Sequence, residues 1–231
     1  MAIGIIEFTV QQELQKQSGE QVDVKGEKVL LLGEKAMFWP AGSLLVVSDF
    51  HLGKSDHFRK NGIPIPGNMV EQELARVDSL VETYAPAEVL FLGDLFHSIY
   101  NKSWEGVVDY IGKRSDTEFS LVEGNHDIMD QSQYERAGLV HHGLVYQKGP
   151  FLFAHDHIDD LPDHLYGVYG HIHPGVRLKG RGRQALTLPC FCFREDHLLM
   201  PAFGAFTGLA KVKTDSCDRV YVVVDGEVLK V

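Results

Sequence analysis

Asp49, Asp94, Asn125, His155 and His171 share one feature: each closes a short apolar run. The runs are SLLVVSD (43–49), EVLFLGD (88–94), FSLVEGN (119–125), PFLFAH (150–155) and LYGVYGH (165–171). His51 follows the first run by two residues, and His173 follows the last by two. Carboxylate, carboxamide and imidazole offer oxygen and nitrogen donors, a set that suits Mn, Fe or Zn better than Ca or Mg. No thiolate belongs to the set, which excludes a Cys-rich structural zinc site. The seven donors exceed the four of one tetrahedral ion. Two ions sharing a bridging carboxylate account for the number, and such a pair is the recurrent clamp of phosphoryl-transfer hydrolases. Each signal is weak singly. A lone histidine such as His155 is more often a buried or surface residue than a ligand, and a strand-end Asp often caps a helix or forms a turn. Five in chain order, each at the end of an apolar run, are far more specific.

These residues need elements that bring them together. Near-continuous apolar runs of this length read as strands buried on both faces. Between them lie helical patterns. Val70, Leu74, Val77, Val81 and Tyr84 predict a helix over 69–84. Trp104, Val107, Val108 and Ile111 predict another over 103–113, with Ser103 as N-cap. A third is expected over 131–137, stopped by Gly138. Strand–helix alternation argues for a layered α/β fold. Ligands of open α/β sheets bind outside the carboxyl ends of the strands, which places all seven donors in one neighbourhood. Residues 219–224 and 227–231 flank Asp225-Gly226, a strong hairpin signal. The region 21–33 also reads as strand, so the sheet should be mixed. Residues 54–67, KSDHFRKNGIPIPG, read as a loop. No repeat or low-complexity segment divides the chain, and a single domain over 1–231 is expected.

Composition bounds the rest. A chain of 231 residues, 44% apolar and 23% charged, is ordinary for a globular protein. It needs no disulfide or metal staple to fold. No run of 18 apolar residues exists, and the N-terminus lacks a basic signal-like region, so a soluble, cytoplasmic protein with no membrane association is expected. Cys190, Cys192 and Cys217 give no disulfide framework and fit a reducing compartment. The net charge of −10, from 22 basic against 32 acidic residues, is not the footprint of a strong nucleic-acid binder. A local basic patch or a bridging metal can still reverse the sign where it matters.

The ordered set DFH, GD, GNHD, H and GHIH resembles the calcineurin-like metallophosphoesterase superfamily. The resemblance implies a four-layer α-β-β-α sandwich of two mixed sheets flanked by helices, with a binuclear centre at strand ends. Carried over by residue, Asp49, His51 and His173 would hold one ion. Asn125, His155 and His171 would hold the other, with Asp94 bridging. His126 would be the non-ligand histidine beside the scissile phosphate. Two departures stand out. His97 lies four residues after Gly93, where many members have Asp, and is expected to support the ligands from outside the metal shell. AHDH offers both His155 and His157, and the strand ending at His155 favours the former.

A narrower resemblance covers nearly the whole chain. HLGK, HFRKNGIPIPG, GDLFHS, LPCF and LMPAFGAFTG are similar to the DNA-ligase-associated branch of that superfamily. In bacteria its genes sit beside an ATP-dependent DNA ligase, a helicase-like protein and an exonuclease-like protein. The branch implies a phosphodiesterase and DNA endonuclease with a repair role, using two divalent ions, manganese first and Fe or Zn as alternatives. The expected substrate is DNA, single-stranded in preference, or a nucleotide. His126 would protonate the leaving oxygen. Asp127 either orients His126 or starts the next helix. Lys54 and Arg59 either contact flanking phosphates or sit on a solvated loop. Phe191, Phe193, Phe203 and Phe206 read as core or homodimer-face residues before base-stacking ones. Two other functions remain. The acidic charge favours a hydrolase of nucleotides or small phosphodiesters. A metal-free scaffold, like the retromer subunit that resembles this fold, is the weakest, since every ligand type is present here. An amidohydrolase barrel is rejected: it needs about 250 residues or more, and here H-x-H comes late in the chain.

Overall fold

The computed structural model describes residues 19–54, 69–96, 102–180, 184–205 and 207–231. The first sheet contains β1 (Gly19–Val24), β2 (Glu27–Leu32), β3 (Met37–Trp39), β4 (Leu44–Ser48), β5 (Glu88–Leu92), β6 (Glu118–Val122) and β7 (Leu139–His141), in that spatial order. β1 to β4 pair antiparallel, and β4 to β7 pair parallel. Parallel neighbours need crossovers. The helices α1 (Met69–Tyr84), α2 (Lys102–Gly112) and α3 (Gln131–Arg136) lie in those three connections.

The second sheet is built from β8 (Val145–Lys148), β9 (Phe151–Ala154), β10 (Tyr166–Tyr169), β11 (Pro174–Lys179), β12 (Ala185–Phe193), β13 (His197–Leu199), β14 (Ala210–Lys211), β15 (Arg219–Val224) and β16 (Glu227–Lys230). β9 and β10 run parallel, as do β10 and β13. β12 pairs β11 through Ala185–Pro189, then β13 and β15 through its last residues.

Strand alternation creates two cores from the first sheet. Leu44, Val46, Leu90 and Leu92 meet Phe151, Phe153, Phe191 and Phe193 between the sheets. Leu45, Val47, Phe91 and Phe119 meet Leu74, Val77, Trp104 and Tyr134 from the three helices on the other face. The two-sheet α/β sandwich implied by the motifs is therefore present. All three described helices cover the first sheet. The outer face of the second is packed by Ile158, Val176, Leu178, Leu188 and Val212, and carries no helix among the described residues. No described helix is long and apolar enough to cross a membrane.

Local differences have local causes. Helix α2 begins at Lys102, so Ser103 sits in its first turn and is not the N-cap. Helix α3 is capped by Asp130, whose side chain accepts from the Ser132 amide at 2.9 Å. The single strand expected over 21–33 is a hairpin. Lys25 and Gly26 turn it at φ of 51° and 82°, as Asp225 and Gly226 do at 51° and 78° for β15 and β16. Phe191, Phe193 and Phe203 are fully buried within this chain, which makes them core and not a dimer face. Phe206 lies outside the described residues.

Candidate metal centre

Strands β4, β5 and β6 of one sheet, and β9 and β10 of the other, deliver their ends to one place. The five positions after them hold the candidate donors. Asp49, His51, Asp94, His171 and His173 all sit in the left-handed backbone region, at φ of 51°, 50°, 51°, 64° and 49°. Each such conformation costs a non-glycine residue of order 1–3 kcal/mol, and persists where its surroundings over-determine it. Those surroundings are visible. The Asp49 amide donates to Gly93 O at 3.2 Å, and the His51 amide to Asp94 O at 2.7 Å. Within the second sheet, the Gly170 amide after β10 donates to His155 O after β9 at 3.1 Å.

The side chains converge in two groups. Asp49, His51 and His173 form one, and Asp49, Asp94 and His155 the other, each with donor atoms within 4.8 Å of one another. His173 Nε2 lies 3.0 Å from Asp49 Oδ1. Asp94 Oδ2 stands 3.6 Å from His51 Nε2 and 3.4 Å from His155 Nε2, so it faces both groups. Its other oxygen accepts from the His126 amide at 2.9 Å. His171 Nδ1 lies 3.1 Å from Asn125 Oδ1, and its ring meets the His155 ring edge-on at 5.2 Å. Asp49 belongs to both carboxylate–imidazole groups, a position the resemblance reserved for Asp94.

Electrostatics follow from burial. Asp49, Asp94, His51 and His155 are all buried. Burial pulls the His155 imidazole down, but Asp94 and Asp49 outweigh it and raise the pKa to about 9. Burial would raise the Asp94 carboxyl, yet His155, the His126 amide and His51 hold it well below the carboxylate range. His51 goes the other way, because burial lowers it to about 4 despite Asp94. Buried carboxylates that favour a neighbouring positive charge, beside a buried His155 Nε2 that makes no hydrogen bond, fit a divalent cation. The donor set is oxygen and nitrogen throughout, as the sequence indicates.

The remaining candidates fall around this centre. The His126 ring packs edge-on to His51 at 5.4 Å. Asp127 is buried and accepts from the Gly124 amide at 2.9 Å and the Phe96 amide at 3.2 Å, tying the loops after β5 and β6 together. Burial raises its pKa to about 7, although those two amides lower it. The half-buried Lys54 directly follows the His51 turn, with its amide 3.2 Å from His51 O. His157 is outside both groups, its ring against Tyr169 and His197. Arg59 and His97 lie outside the described residues.

Two supports of the site are not signalled as such by the sequence. Ser48 Oγ donates to Asp49 Oδ2 at 2.5 Å. The segment after β13 also clasps the site. The Phe203 and Gly204 amides donate to Ser48 O and Asp49 O at 2.8 and 3.2 Å, while Gly208 O lies 3.2 Å from His173 Nδ1. LMPAFGAFTG is legible in sequence as a branch motif, but not as the strap that holds two donors.

The chain is similar to known proteins in sequence and in fold. A family model described as calcineurin-like phosphoesterase matches residues 42–192. The crystal structure of Pseudomonas putida nuclease MPE aligns with a TM-score of 0.77 at 29% identity, covering 92% of this chain and 100% of that one. The Escherichia coli phosphoesterase YfcE aligns with a TM-score of 0.45 at 15% identity, covering 81% of this chain and 97% of that one. No curated protein matches the sequence.

Proposed function

Since the chain belongs to the calcineurin-like phosphoesterase family, and is thereby a hydrolase acting on phosphoric esters, we propose that it is a two-metal phosphodiesterase cutting DNA internally. The observation that carries this reading is the convergence of Asp49, His51 and His173 with Asp94 and His155. The 29% identity to a nuclease over 92% of the chain supports a nucleic acid as the substrate, and the branch resemblance supports DNA.

Asp49, His51 and His173 would hold one ion, and Asn125, His155 and His171 the other, with Asp94 facing both. Divalent ions bound there, manganese in this proposal, would supply Lewis acidity toward phosphate oxygens and lower the pKa of water. The chain's own residues do the rest. Asp94, tied to the His126 amide, fixes the loop that presents the His126 imidazole. That imidazole would give its proton to the leaving oxygen. Asp127 keeps the same loop against the end of β5. Lys54 and Arg59 would neutralise flanking phosphates. The branch resemblance supports single-stranded DNA as the preferred form and a cytoplasmic repair role with a functional link to DNA ligase and helicase.

Circular single-stranded DNA tests the proposal. Circles have no ends, so linear product from the manganese-loaded chain requires internal cleavage. Cleavage is expected, and it should vanish in Asp49→Ala. Intact circles beside hydrolysis of a small aryl phosphodiester would move the substrate to nucleotide size. The net charge of −10 favours that second reading. Salt separates the two, because binding through many DNA phosphates weakens steeply with ionic strength.

A further inference from the structure

A cleft of about 540 Å³ opens directly beside Asn125, His155 and His171. Its size falls in the range of small-molecule sites, roughly 300–1,000 Å³. The walls away from the donors are aliphatic, formed by Ile128, Leu144, Val145 and Ile158. Ile128 and Leu144 are 64% and 71% exposed. Single exposed aliphatics are ordinary, but several lining one cleft that ends at a polar centre mark a binding surface.

Both walls are preformed. Ile128 follows the loop that Asp127 ties to Gly124 and Phe96. Leu144 sits on a turn whose Gly143 O accepts from the Glu123 amide at 2.8 Å. The charge pattern is equally selective. Glu123 and Asp156 line the cleft, and no Lys or Arg does so among the described residues. A second phosphate would be repelled there, whereas a flat uncharged group would replace water on the aliphatic walls.

We propose that this cleft is a nucleobase subsite, taking one unpaired base whose own phosphate lies at the metal centre. The inference rests on the phosphodiesterase reading above and deepens it. A base can enter only when it is out of a duplex, so the subsite itself would select single-stranded substrate.

The test is calorimetric binding of thymidine 5′-monophosphate, ribose 5-phosphate and inorganic phosphate to the manganese-loaded full chain. Moving the face of a base out of water onto the aliphatic walls is expected to gain about tenfold in affinity. The nucleotide is therefore expected to bind about tenfold tighter than ribose 5-phosphate. Leu144→Ser and Ile128→Ser should each shrink that ratio, while Leu229→Ser, exposed on β16, should not. Both sites are exposed, and matching melting curves would confirm that the variants fold. Equal affinity for nucleotide and sugar phosphate would overturn the subsite alone, provided that inorganic phosphate binds. So would a ratio that survives in both variants. Failure of all three to bind would remove the phosphodiesterase reading, and the subsite with it.

Discussion

Ser48 Oγ donates to Asp49 Oδ2 across 2.5 Å, with both residues fully buried. The His171 amide reaches the same oxygen at 3.0 Å and Oδ1 at 3.2 Å, and Oδ1 is the atom turned toward His173 and His155. Ser48→Ala should therefore leave the fold intact at a cost of about 1 kcal/mol. It should also weaken metal binding by about 10-fold or more, as loss of an outer partner to a ligand does. Manganese titration by calorimetry checks this. Unchanged affinity would mean that Asp49 is fixed by the backbone alone.

Gly93 admits no side chain. Its φ is +71°, and a Cβ there would lie 2.1 Å from His155 Nδ1. Strain and overpacking together should make Gly93→Ala at least about 2 kcal/mol less stable. His155 must move to make room, so metal content should fall with stability. Thermal melts with and without manganese read both effects. A variant that melts and binds metal like the wild type would show that the loop after β5 can shift freely.

His126 touches Asp94 through its backbone amide, and that bond does not depend on the imidazole. His126→Ala should thus keep both ions while losing the proton donor. A drop of about 10²–10⁴ in turnover is expected on a substrate with a poor leaving group, and a smaller one on an aryl ester. Loss of metal from this variant would mark His126 as a ligand.

At the opposite end of β5, Glu88 is buried and contacts Ser120 at 2.5 Å, Lys148 at 2.8 Å and Tyr146 at 3.1 Å. Burial alone would raise its pKa, but Lys148, Ser120 and Tyr146 outweigh it and hold the carboxyl below its usual value. A lowered carboxyl pKa contributes stability that is present above the unfolded value and lost as pH falls through the folded one. Lys148→Met should cost about 2 kcal/mol at pH 7.5, Glu88 losing a charged hydrogen-bond donor and keeping Ser120, Tyr146 and His142 beside it. The gap from the wild type should narrow at pH 4. Urea unfolding at both values measures it, and a gap independent of pH would rule out an electrostatic origin.

The strands that carry the site are legible because they are parallel and buried on both faces, so β4, β5 and β6 read as near-continuous apolar runs. The donors at their ends are legible because packing and turn formation do not by themselves select Asp, Asn and His in that fixed order. Elsewhere the signals fade. Lys25-Gly26 makes the same turn as Asp225-Gly226, but Lys is not a residue that announces a left-handed turn. β12 changes partners midway and contains Pro189, so its burial shifts from exposed to buried without alternation. Ser48 looks like any buried strand serine, and its bond to Asp49 appears only in three dimensions. The clasp of Phe203 and Gly204 on the end of β4 joins segments far apart in sequence, and no local pattern encodes it.

The most direct measurement is the manganese content of the wild type and Asp94→Ala, read together with hydrolysis of bis(p-nitrophenyl) phosphate. Two ions per wild-type chain are expected, fewer in the variant, with turnover reduced roughly a thousandfold or more. Full turnover by Asp94→Ala, or by wild-type chain stripped of metal, would contradict a two-metal phosphoesterase centre at these strand ends.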